Sequence, residues 1–146
     1  FFTRINPAAW LFGALFLAQA ALLLWYGVIH ARLEFPMARS VRQITGFVLV
    51  AYALAYPFVV SLGEGLAWPR APMFAVPCPT AIFTAGLLIM ARAPLGLIVI
   101  PVLWSVIGGS AAFVLGVPAD LVLLASGVLL IGFASARRLG LRRALT

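Results

Sequence analysis

Hydrophobic residues run along this chain in long stretches, separated by short segments that carry the charges or are rich in proline and glycine. An apolar run of about 18 residues or more with almost no charge reads as a transmembrane helix, because in lipid the backbone must satisfy its own hydrogen bonds. The pattern predicts spans at about 7–31, 44–62, 72–91, 95–115 and 118–136. The expected fold is therefore an all-α membrane protein, a bundle of five transmembrane helices forming one domain over residues 1–146.

The first span has Asn6 as its N-cap and Pro7 at a position where a missing N–H is harmless, with Trp10 near one end and Trp25 and Tyr26 near the other. The second carries Pro57, which is expected to kink it. Gly63 to Pro72 form an irregular loop. The third span is anomalous: Pro77 and Pro79 bracket Cys78, and the roughly 13 residues from Pro79 to Arg92 reach only about 20 Å as helix, too short to cross. A break inside the membrane is expected at Pro77 to Thr80. The fifth span opens with Pro118 and with Asp120 beside the positive end of the helix dipole.

Composition agrees with this reading: 65% of residues are hydrophobic and 9% charged, and the mean hydropathy is +1.18. A soluble domain of this length has no room to hide that much apolar surface. The formal net charge is +7, all of the positive charge being arginine. With the first loop inside, Arg32, Arg39, Arg42, Arg92, Arg137, Arg138, Arg142 and Arg143 are cytoplasmic, and Arg4 and Arg70 lie outside. The positive-inside rule then places the C-terminus in the cytoplasm of a bacterial inner membrane. Dispersed arginines of this kind report topology, and nothing in them points to nucleic acid.

Three motifs, Asn6-Pro7-Ala8-Ala9-Trp10-Leu11-Phe12-Gly13, Pro77-Cys78-Pro79-Thr80 with Ile82-Phe83-Thr84, and Ile107-Gly108-Gly109-Ser110-Ala111-Ala112 with Gly116-Val117-Pro118, occur in one order along the chain. In these the sequence resembles a bacterial family of multi-pass membrane proteins defined only as a domain of unknown function. The resemblance covers nearly the whole chain and implies about two further spans upstream. It implies no activity, cofactor or catalytic residue.

Chemistry-bearing residues are few. Cys78 precludes an internal disulfide and stands at a helix start, where a thiol feels the dipole, although free cysteine mostly packs as a small hydrophobe. Thr80 and Thr84 lie one turn apart and either line a polar path or bond back to carbonyls that the prolines free. Gln19, near mid-span, has to face another helix. His30 is the only histidine, and an isolated interfacial histidine is normally solvated; Glu64 is placed to pair with Arg70 across the loop. Gly108, Ala112 and Gly116 form a small-residue stripe that lets another helix approach.

The sequence offers no carboxylate pair within a span, no zinc-binding histidine motif, no nucleophile elbow and no phosphate loop. No catalytic residue, metal or cofactor is assigned. Two functions fit. One is a non-catalytic accessory or structural subunit of a respiratory- or photosynthetic-type complex, its partners being the lipid bilayer and other membrane subunits met through small-residue faces. The other is a small-solute transporter or channel built around Pro77-Cys78-Pro79, with Gln19, Thr80, Thr84 and Ser110 along its path.

Overall fold

A computed structural model describes residues 9–36, 40–64, 77–91, 93–116 and 118–143. The described residues form five α-helices and no strand. Helix α1 is Ala9–Leu23, continued by a π-helical stretch Leu24–Ile29; α2 is Val41–Glu64, α3 Pro77–Met90, α4 Leu95–Leu115 and α5 Leu121–Arg143, the last preceded by a 3₁₀ turn Pro118–Asp120. The all-helical bundle is thus as the hydrophobic runs imply, with a difference in the third element. Four helical segments, Trp10–Ile29, Val41–Leu62, Leu95–Val114 and Pro118–Gly140, are long and apolar enough to cross a membrane. With 14 residues, α3 spans only about 21 Å.

Helix α3 starts at Pro77, so both prolines fall in its first turn, where a helix needs no N–H donor. The residues just before it lie outside the described residues, as does Arg70, with which Glu64 is expected to pair. This short helix is the centre of the bundle. It packs against α2, α5 and α4, and Pro79, Ala81, Ile82, Ala85, Gly86, Leu88 and Ile89 are buried. Burial on this scale explains how so short a helix is held: its apolar side chains meet protein on most sides.

Helix α2 begins at Val41 and α5 continues to Arg143, so Arg42, Arg137 and Arg138 are helical. Helix α4 contains Pro101 and ends at Gly116, whose φ of 67° is the left-handed conformation that terminates a helix, its N–H bonding back to the Ala112 carbonyl. Helix α1 is the most loosely held. Only 6% of its span is buried, against 39% for α4, and it leans on α4 through Phe12 and Phe16, whose rings lie 5.0 and 4.9 Å from that of Trp104.

Candidate functional site

The polar chemistry gathers at the two ends of α3 and at one point on its flank. A helix leaves its last four carbonyls without intrahelical partners, and in α3 each finds one. Ala91 N–H donates to Leu87 O at 2.8 Å and Ala93 N–H to Leu88 O at 3.4 Å. From the start of α2, Arg42 Nε donates to Ile89 O and Gln43 Nε2 to Met90 O at 3.2 Å and to Pro36 O at 2.9 Å. Arg42 therefore places its positive charge at the negative end of the α3 dipole. Gln43 drew no attention in the sequence, since its partners lie in other segments.

At the opposite end, Cys78 in the first turn of α3 is not solitary. Its thiol lies near the Asp120 carboxyl, and Tyr56 on α2 donates its hydroxyl to Asp120 Oδ1. Tyr52, one turn earlier, donates to Ala119 O at 2.7 Å, and the two tyrosine rings meet edge to face at 6.2 Å. Tyr52, Tyr56, Cys78 and Asp120 thus form one cluster joining α2, α3 and the turn before α5. Nothing local to Tyr52 and Tyr56 reveals this cluster, because it depends on a pairing across more than 60 residues.

On the flank of α3, Gln19 of α1 is buried and donates from Nε2 to Leu97 O at 3.3 Å. The acceptor is explained by the sequence of α4: the residue four positions after Leu97 is Pro101, which has no N–H to offer it. Gln19 supplies the donor that proline withholds. Gln19, Thr84, Trp104 and Pro101 line a cavity of about 20 Å³, in which Gln19 Oε1 and Trp104 Nε1 have no protein partner. Thr84 donates to Thr80 O at 2.8 Å, the back-bonding that the spacing of these threonines allows.

The residues proposed to line one polar path are therefore divided. Cys78 belongs with Asp120, Gln19 and Thr84 share the small cavity, and Ser110 is exposed, bonded to Ile107 O at 2.8 Å. His30 closes α1: its Nδ1 lies 3.0 Å from Trp25 O and its ring 4.6 Å from that of Trp25. Among the described residues no group of three or more histidine, cysteine or acidic side chains is placed to hold a metal ion.

The family described as "Family of unknown function (DUF6064)" matches residues 1–143. The chain belongs to DUF6064. No curated protein and no solved structure matches it.

In this DUF6064 chain the stripe expected from Gly108, Ala112 and Gly116 is realised in part. Ala112 is buried, and a Cβ on Gly108 would stand 2.6 Å from Leu123 Cδ2 of α5. Gly116, by contrast, has open space around it and serves as the left-handed cap. The tightest backbone approach is elsewhere, between α2 and α3. A Cβ on Gly46 would lie 2.7 Å from Gly86 O, and one on Gly86 would lie 2.8 Å from Gly46 O. Gly127 of α5 similarly abuts the Ser105 side chain of α4.

Proposed function

We propose that this chain is a non-catalytic, multi-pass protein of the bacterial inner membrane, a structural or accessory subunit of a larger assembly of the respiratory or photosynthetic type, with its C-terminus in the cytoplasm. The observation that carries this reading is what the polar side chains do. Gln19, Arg42, Gln43, Tyr52 and Tyr56 each bind an atom of another helix or turn, so polar groups act as fasteners between helices. Ser105, Ser126 and Thr84 bond back to carbonyls of their own helices. Outward-facing Trp10, Leu17, Leu54, Phe58, Phe113 and Val114 suit lipid. The thinly packed α1 supports the subunit role, since it leaves a helix-long apolar surface for another subunit.

Crosslinking in the native membrane, followed by purification in mild detergent and mass spectrometry, is expected to yield a complex of fixed stoichiometry with α1 in a crosslink. A chain that purifies alone as a monomer would sink the subunit reading. Reporter fusions after Arg42 and after Arg143 test the topology and are expected to read cytoplasmic, with one near Arg70 reading the opposite side.

One observation favours the second reading, a small-solute transporter or channel. Helix α3 is too short to cross and is buried among the longer helices, and short or interrupted helices form the binding sites of many transporters; its first turn carries Cys78 near an acid. Rapid reaction of Cys78 with a membrane-impermeant thiol reagent would support a water path; no reaction with either permeant or impermeant reagent would favour a packed fastening.

A further inference from the structure

At the arginine-rich end of the bundle, three guanidinium groups gather around one cavity. A cavity of about 190 Å³ takes its charge from Arg42 at the start of α2 and from Arg137 and Arg138 on α5, and its wall from Leu88, Ile98 and Phe133 of three different helices. It adjoins a wider cleft of about 900 Å³, to which Arg32, Glu34 and Arg137 contribute. Arg42 is anchored by its Nε on Ile89 O, which fixes where its guanidinium stands. Planar guanidiniums present paired donors that match phosphate oxygens.

The size and lining decide what part of a ligand enters. At about 190 Å³ the cavity falls below the roughly 300 to 1,000 Å³ of sites that enclose a whole small molecule. It has room for a headgroup, and the remainder of the ligand must lie outside. One wall is made of leucine, isoleucine and phenylalanine, which serves a hydrocarbon chain and does nothing for a free, fully hydrated anion. A basic pocket between helices at the end of apolar spans is where anionic lipid headgroups bind.

We propose that this cavity binds the phosphate of an anionic membrane lipid, with Arg42, Arg137 and Arg138 on the phosphate and the lipid's glycerol and first acyl carbons against Leu95 and Phe133 at its rim. The site rests on the reading of the chain as a membrane protein. It goes beyond that reading by naming a ligand class and the residues that select it.

The test uses the full chain in lipid nanodiscs made from equal parts phosphatidylglycerol and phosphatidylcholine, released gently for native mass spectrometry. Retained lipid is expected to be mainly phosphatidylglycerol, and R137Q/R138Q is expected to weaken that preference by about fivefold per arginine. Both arginines are exposed, and the double variant is compared with the natural chain at matched helicity, whereas Arg42→Gln also removes a bond to α3. Equal retention of the two lipids, or an unchanged preference in R137Q/R138Q, overturns the proposal. Loss of phosphatidylglycerol on adding millimolar inorganic phosphate overturns the lipid assignment in favour of a free-anion site. A chain that does not enter nanodiscs at all overturns the membrane reading and this site with it, an outcome distinct from the others.

Discussion

Replacing Gln19 by leucine removes the donor that α1 gives to Leu97 O of α4, and the consequence depends on Pro101. In the natural sequence Leu97 O has no N–H four residues on and receives Gln19 Nε2 at 3.3 Å. A buried carbonyl stripped of its partner costs about 1 to 3 kcal/mol. Part of this is offset, because leucine also eliminates Gln19 Oε1, which has no protein partner. The single-variant change is therefore a blurred measure, and the coupling is the sharp one. With Pro101→Ala in place, residue 101 regains an N–H, Leu97 O is satisfied within α4, and Gln19→Leu should lose its penalty. The double-mutant cycle between these positions is expected to show a coupling of about 0.6 to 1.7 kcal/mol, between the mean and the largest value measured for side-chain hydrogen bonds between helices in a membrane protein. Reversible unfolding in mixed detergent micelles, following helicity against denaturing detergent, measures all four corners. Distant, independent sites add within about 0.3 to 0.5 kcal/mol. Additivity of Q19L and P101A within that margin would refute the claim that the glutamine replaces the proline's missing donor.

Gly86→Ala should destabilise by about 1 to 3 kcal/mol, because its Cβ meets the Gly46 carbonyl at 2.8 Å and the Val50 backbone N at 3.1 Å, neither of which can swing aside. Gly132→Ala, with nothing within 4 Å, should be neutral or gain up to about 1 kcal/mol from helix propensity; equal melting temperatures for the two variants would contradict the α2–α3 contact. Gly108→Ala should fall between them, since it meets only the end of the Leu123 side chain. Tyr56→Phe should cost about 1.5 to 3 kcal/mol through its lost bond to Asp120, and Tyr52→Phe about 0.5 to 1.5 kcal/mol through its lost bond to a neutral carbonyl. An unfolding series in which the order of those two is reversed would count against the cluster at the start of α3.

Local chemistry determined a good deal by itself. Hydrophobic runs and the scarcity of charge set an all-helical fold, since a helix closes its own hydrogen bonds whatever surrounds it. Pro77 and Pro79 argue against a helix that runs unbroken through them from residue 72, because proline acts on its own residue and the one before; that the helix simply starts at Pro77 is seen only in the fold. The solitary amide of Gln19 had to reach another helix, because burying it otherwise costs too much. Other features exist only once helices have been placed side by side. The sequence does not say that α3 lies at the centre, that Gly46 meets Gly86 across 40 positions, or that Arg42 and Gln43 close the end of α3 across 47. Each depends on the rotation and register of one helix against the next, which the packing of many side chains sets together. Gly116 makes the same point in reverse: its four-residue spacing from Ala112 fits a contact stripe, but α4 ends there, and the left-handed turn decides its role. Pairing is a property of the bundle, and only the tertiary structure shows which polar residue each helix presents to which neighbour.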